Sequence, residues 1–132
     1  MEKPVHFLVI DDDPINNMIC THTIRSTTGD TGTRCFTVPE EGIAFIENEF
    51  VKTKDPAILF LDINMPSMTG WDVLEKLKTV DEELIKKISI YILSSSVSQT
   101  DHELANSNPL VTDYIVKPLT KEKLLTILKD VH

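Results

Sequence analysis

Acidic, hydroxyl and ammonium side chains recur in this chain at the ends of apolar runs, where together they could handle a phosphate. Asp11, Asp12 and Asp13 follow Phe7-Leu8-Val9-Ile10, and Asp62 follows Ala57-Ile58-Leu59-Phe60-Leu61. Ser94 follows a run that begins at Ile88, and Lys117 follows one that ends at Val116. Carboxylates drawn together repel one another unless a cation intervenes. Hard divalent cations take oxygen ligands, and Mg²⁺ in particular is held by one or two carboxylates with water and phosphate oxygens. A serine hydroxyl can donate to a phosphoryl oxygen, an ammonium can balance its charge, and a carboxylate can itself be the nucleophile. Phosphoryl transfer is largely positioning and charge neutralisation. The set predicts a Mg²⁺ site that handles phosphate.

Taken singly, each residue has a plainer role. An acid before proline reads as a helix N-cap with proline at the first helical position, which suits Asp13-Pro14. Asp62 could start an Asx-turn and Ser94 a tight turn. Lys117 alone reads as a solvated charge. Their joint placement, each in order at the end of an apolar run, carries the argument.

Short apolar runs rich in β-branched and aromatic residues read as strands buried on both faces. They are expected at Val5 to Ile10, Thr33 to Val38, Ala57 to Leu61, Ile88 to Leu93 and Leu110 to Val116; the second is less apolar and suits a sheet edge. Helical spacing alternates with them. Ile15, Met18, Ile19 and Ile24 suggest the buried stripe of the first helix, and Ile43, Phe45, Ile46 and Phe50 that of the second. Thr69 with Asp72, and Ser98 with Asp101, have the spacing of capping boxes. Leu119, Thr120 and Leu124 match a hydrophobic staple, and Leu124, Leu125, Ile127, Leu128 and Val131 give the last helix its stripe. Five strands alternating with five helices predict an α/β fold, a doubly wound parallel sheet covered on both faces. All carboxyl ends then open on one edge, where such folds bind ligands.

The 132 residues read as one domain, 1–132, with a core from about 5 to 131. Hydrophobic residues make up 41% and charged residues 26%, an ordinary globular balance. No apolar run approaches the roughly 20 residues that span a bilayer. Met1-Glu2-Lys3-Pro4 shows no signal-peptide pattern, which points to the cytoplasm. Thirteen Lys and Arg against 21 Asp and Glu give a net charge of −8, which argues against nucleic-acid binding by this domain. Cys20 and Cys35 read as reduced core thiols. His6, His22, His102 and His132 lack metal-ligand spacing. Trp71 reads as a core anchor, and the sparsely apolar stretch from Gln99 to Ser107 as a weakly anchored helix.

Four motifs in order resemble a known family. They are Leu8-Val9-Ile10-Asp11-Asp12-Asp13-Pro14, Leu59-Phe60-Leu61-Asp62-Ile63-Asn64-Met65-Pro66 with Gly70, Ile92-Leu93-Ser94-Ser95, and Tyr114-Ile115-Val116-Lys117-Pro118. From about Val5 to Val131 the chain resembles the response-regulator receiver domains of two-component signalling and chemotaxis. The resemblance implies a flavodoxin-like sheet of strand order 2-1-3-4-5. It implies that Asp62 accepts a phosphoryl group from a phosphohistidine on a sensor histidine kinase or histidine phosphotransfer protein. Asp12 and Asp62 would bind Mg²⁺ directly, the backbone carbonyl of Asn64 would complete the protein ligands, and Asp11 would act through water. Ser94 would hydrogen-bond one phosphoryl oxygen and Lys117 would pair with another, its bond to Pro118 being cis. Tyr114 would move inward as Ser94 closes on the phosphate. The last three elements would then present an altered face to a downstream protein target.

The triple acid leaves a second register open, with Asp12 and Asp13 as the acidic pair. The reading is of a phosphoacceptor switch, not a turnover enzyme, either stand-alone or cut from a longer protein. Two alternatives stand beside it. Asp11-x-Asp13, Ser94 and Lys117 also resemble three motifs of haloacid-dehalogenase-type phosphatases, although the acidic motif expected after the lysine is missing. A receiver-like module that takes no phosphate is the other.

Overall fold

The computed structural model describes residues 5–131, so Met1–Pro4 and His132, and the side chain of Val131, lie outside the described residues. Five parallel strands form one sheet: β1 (His6–Ile10), β2 (Arg34–Phe36), β3 (Ala57–Leu61), β4 (Ile88–Ser94) and β5 (Val111–Val116). Their order is β2-β1-β3-β4-β5, as the resemblance implied. Around them lie α1 (Pro14–Thr28), α2 (Pro39–Asn48), α3 (Gly70–Leu77), α4 (Glu82–Lys86), α5 (Gln99–Ser107) and α6 (Lys121–Val131).

Alternation along each strand sends neighbouring side chains to opposite faces. Leu8, Ile10, Leu59, Leu61, Ile90 and Ile92 face α2, α3, α4 and α5 with Ile43, Ile46, Val73, Leu74, Leu77 and Leu84. Phe7, Val9, Ile58, Phe60, Tyr91 and Leu93 face the other side, packing on Cys20 and Ile24 of α1 and Leu124 and Ile127 of α6. Each fully buried side chain of this kind contributes about 1.5–3 kcal/mol. The central strand β3 is buried at every residue, whereas β2 is the short, partly exposed edge expected for it.

Most helix termini follow their sequence signals; at α5 the expected capping box is half formed, Ser98 accepting the Asp101 N–H while the Asp101 carboxylate accepts the Ser96 hydroxyl instead. The Asp13 side chain accepts from the backbone N–H of Ile15 at 2.9 Å, with Pro14 opening α1. Gly29 closes that helix at φ 81°, the left-handed conformation glycine adopts without penalty. Thr69 and Asp72 form a reciprocal capping box on α3. Thr120 receives the Lys123 N–H, and Leu119 and Leu124 are buried together beneath it.

Four expectations need correcting. The stripe assigned to the first helix faces outward: Ile15 is 67% exposed, Met18 66% and Ile19 41%, while Ile24 alone of the four is buried. The Asp13 cap fixes the helix start, and from there Asn16, Asn17, Cys20 and Ile24 turn toward the sheet. Leu125 likewise points outward on α6, and Cys35 is exposed on the edge strand instead of lying in the core. Finally, a sixth helix, α4, and a 3-10 turn at Phe50–Lys52 add to the expected elements. The helix is too short to show periodicity and buries only Leu84, but Asp81 caps it by accepting from the Glu83 N–H. Among the described residues, no helix is long and apolar enough to cross a membrane.

Candidate functional site

Backbone register brings the polar strand ends together. Ile10 pairs with Leu61, Leu61 with Ile92, and Ser94 with Val116, so the residues that follow or end these strands share one edge. The edge is stitched by further bonds: Asp62 N–H donates to Ile10 O at 2.9 Å and Lys117 N–H to Ser94 O at 2.8 Å. Asp11, Asp12 and Asp62 converge there, each offering a carboxylate oxygen within 4.8 Å of the others. Asp11 and Asp62 are buried and Asp12 is reached by solvent. Asp13 is exposed and spent on its cap, which removes the alternative register from the cluster.

Lys117 is the cation of the pocket. Its Nζ lies 2.7 Å from Asp11 Oδ2 and 3.8 Å from Asp62 Oδ2. Burial alone would lower its pKa, but the Asp11 hydrogen bond and charge, with help from Asp62, outweigh that and hold it above the ordinary lysine value. Asp62 shows the opposite balance. Burial and then the Asp11 charge push its carboxyl up to about 6, with Lys117 only partly offsetting them. One ammonium among three carboxylates leaves surplus negative charge, and this oxygen-rich set fits a hard divalent cation.

The loop after Asp62 is set by Gly70. Asp62 Oδ1 accepts the Asn64 N–H at 3.3 Å, an Asx-type turn that leaves Asn64 at the surface. A Cβ on Gly70 would lie 2.5 Å from Asp62 O and 2.8 Å from Ile63 Cα, so only glycine lets α3 pack against this backbone. The Gly70 N–H donates to Ile63 O at 3.1 Å.

Ser94 is fully buried, and its Oγ accepts the Ser96 N–H at 3.1 Å. Tyr114 already sits inward, 9% exposed, with its hydroxyl donating to Ser96 O at 2.8 Å. The His102 ring lies over it with centroids 3.9 Å apart. Ser96 in turn donates to Asp101 Oδ2 at 2.7 Å, so the loop between β4 and α5 is tied at both ends. The Lys117–Pro118 bond is cis.

Sequence reasoning missed Asn16 and Asn17. Asn16 Nδ2 donates to Asp11 Oδ2 at 2.7 Å and Asn17 Nδ2 to Asp11 O at 3.0 Å, both from the buried face of α1. The signal was available: two amides in the first turns of the helix, at positions that an apolar stripe would otherwise fill.

A doubly wound parallel sheet with strand order 2-1-3-4-5 and an acidic pocket at its carboxyl edge defines the flavodoxin-like α/β class, which binds its ligands at that edge. Within it, the chain belongs to the response regulator receiver domain family, whose model matches residues 7–129. A two-component response regulator from Cytophaga hutchinsonii has a similar solved structure, with TM-score 0.88 and 29% identity, covering 99% of this chain and 98% of that one. The nitrate/nitrite response regulator protein NarL of Escherichia coli (strain K12) is 29% identical over 128 residues, 96% of this chain and 54% of the relative. A protein-glutamate methylesterase/protein-glutamine glutaminase of Rhizobium etli is 32% identical over 80 residues, 61% of this chain and 22% of the relative. The chain thus spans about half the length, or less, of these curated relatives.

The chain is therefore a receiver domain of two-component signalling, and its Asp11, Asp12 and Asp62 cluster fits a phosphoacceptor site with Mg²⁺. Receiver domains work with histidine kinases and phosphotransfer proteins. The phosphatase alternative has no support: Asp13, which it requires in the pocket, is the exposed helix cap.

Proposed function

We propose that Asp62 accepts the phosphoryl group from a phosphohistidine donor, a sensor histidine kinase or histidine phosphotransfer protein. The observation that carries this is the setting of Asp62, a buried carboxylate at the end of the central strand β3, clustered with Asp11 and Asp12 and with its Oδ2 3.8 Å from Lys117 Nζ. A carboxylate oxygen of Asp62 attacks phosphorus, and the phosphorus–nitrogen bond of the donor breaks. Its electron pair returns to the imidazole, and an acyl phosphate forms on Asp62. Asp12, Asp62 and the Asn64 carbonyl would hold Mg²⁺, with Asp11 acting through a water, and the ion would supply charge neutralisation at the phosphoryl oxygens. Lys117 takes a second phosphoryl oxygen and Ser94 donates to a third. Each domain takes one phosphoryl group per event, as a switch and not a turnover catalyst.

The donor approaches over α1. Its exposed Ile15, Met18 and Ile19 begin three residues after Asp12 and give a partner helix apolar surface beside the pocket. The response leaves by the face of α5, β5 and α6. There Tyr114 and His102 couple the Ser94 loop to the surface a downstream protein target would touch. Residues 1–132 act as a single receiver unit in this reading.

Phosphoramidate with Mg²⁺ tests the assignment without a partner. One phosphoryl adduct by intact mass is expected, abolished by Asp62→Asn and by chelation. An adduct that survives Asp62→Asn overturns it. Failure of the folded wild-type chain to take Mg²⁺ or phosphoryl would favour the module that is never phosphorylated.

A further inference from the structure

We infer that Asn16 is a positioning residue for phosphoryl capture: it holds Asp11 so that Lys117 is free to leave it. The inference rests on the reading of Asp62 as phosphoacceptor.

Asp11 is almost saturated by protein donors. Its Oδ1 accepts the Asp13 N–H at 2.8 Å. Its Oδ2 accepts both the Asn16 amide and the Lys117 ammonium, each at 2.7 Å. A carboxylate oxygen has two lone-pair sites, so Oδ2 is full and Oδ1 keeps one site. That site is what remains for a bound water. Asn17 fixes the same residue from behind through its backbone carbonyl.

Lys117 is drawn to the wrong carboxylate for its task. It lies against Asp11 and stands off from Asp62, whose phosphoryl group it must meet. Leaving Asp11 strips a donor from an oxygen with almost no access to water, since Asp11 is 1% exposed. A buried acceptor that loses its partner costs far more than an average hydrogen bond contributes. With Asn16 in place, Oδ2 keeps one donor after Lys117 departs. The amide also does this without adding charge, unlike a second lysine, which would compete with Mg²⁺ for the carboxylates. Asn16 is 5% exposed on a face that otherwise packs Cys20 and Ile24 on the sheet, so an apolar side chain would be the default there.

A donor-less residue at this position should therefore tether Lys117 to Asp11. The oxygens of Asp12 and Asp62 are untouched, so cation binding should not weaken. The experiment compares the 132-residue chain with Asn16→Leu, which removes the donor in a side chain of the same branching, and Asn16→Ser, which keeps a hydroxyl. Measured are the Mg²⁺ dissociation constant by calorimetry and the phosphorylation rate at saturating phosphoramidate and Mg²⁺. Asn16→Leu should slow phosphorylation about tenfold, the loss expected for one hydrogen bond to a charged group. Its Mg²⁺ affinity should stay within about twofold, and Asn16→Ser should keep most of the wild-type rate. In a Lys117→Gln background, adding Asn16→Leu should change the rate by less than about twofold, because the effect runs through the lysine.

A parallel loss of Mg²⁺ affinity and rate would mean that Asn16 merely supports the fold, and would overturn the inference. So would an unchanged rate, or an equal loss in the Lys117→Gln background. If Asn16→Leu gives no cooperative urea transition, the smaller and equally donor-less Asn16→Val carries the same comparison. Labelling that survives Asp62→Asn would instead bring down the phosphoacceptor assignment, so the two failures are distinct.

Discussion

Lys117 bonds Asp11 at 2.7 Å and stands 3.8 Å from Asp62. The ammonium is thus shared unequally between two buried carboxylates of one cluster. Replacing it by methionine leaves those carboxylates without their cation. Lys117→Met should lower stability in the absence of Mg²⁺ by about 1–3 kcal/mol at pH 7, discounted from the cost of breaking a fully buried pair because the lysine is 18% exposed. Urea unfolding measures it, and the loss should shrink at pH 5 as a carboxylate takes up a proton.

Asp62 makes the metal-free domain sensitive to pH in a definite direction. Its carboxyl is raised from 3.8 to about 6 by burial and by Asp11, so the folded chain binds this proton more tightly than the unfolded chain. Its contribution to stability is present below about pH 4 and is lost as pH rises to about 6. Above that range the ionised group costs about 1–3 kcal/mol. Asp62→Asn should therefore be more stable than wild type at pH 7 without Mg²⁺, and the two should converge near pH 4. Urea midpoints across pH 4 to 8 give the comparison; an Asn variant less stable at pH 7 would contradict it.

Divalent cation should reverse that cost. Mg²⁺ at about 100 times its dissociation constant should add about 2.7 kcal/mol by mass action. The gain should vanish with chelator and be largely absent in Asp12→Ala, which removes the open ligand of the cluster. Thermal melts with and without Mg²⁺ read this directly.

Gly70 fixes the acceptor loop through contact with Asp62 O and Ile63. Gly70→Ala should destabilise the domain by about 1–3 kcal/mol through overpacking and should weaken Mg²⁺ binding along with it. Amide chemical shifts of residues 62–65 would report the displacement.

The fold was legible because its strands are pure apolar runs and its helix caps are explicit. Asp13-Pro14 and Thr69 with Asp72 announced their helices, and the acids at the strand ends announced the pocket. What escaped notice had physical reasons. The Ile15, Met18 and Ile19 stripe has true helical spacing, but spacing cannot say whether a stripe faces a sheet or a partner. The orientation comes from the cap at Asp13 and the inward amides of Asn16 and Asn17. Helix α4 has one buried residue and no period to detect. The contact between His102 and Tyr114 joins residues on separate elements, which only the folded sheet brings together.

The irregular segments sit at the opposite end of the sheet from the chemistry. Lys87, just before β4, donates to Thr53 O after the 3-10 turn, and the Ala57 N–H donates to Lys87 O, so these additions brace the strand beginnings. A five-residue strand separates them from the acids by roughly 16 Å. Insertions and deletions in that quarter can accumulate, or an engineer can graft a reporter there, while the reactive rim keeps its geometry.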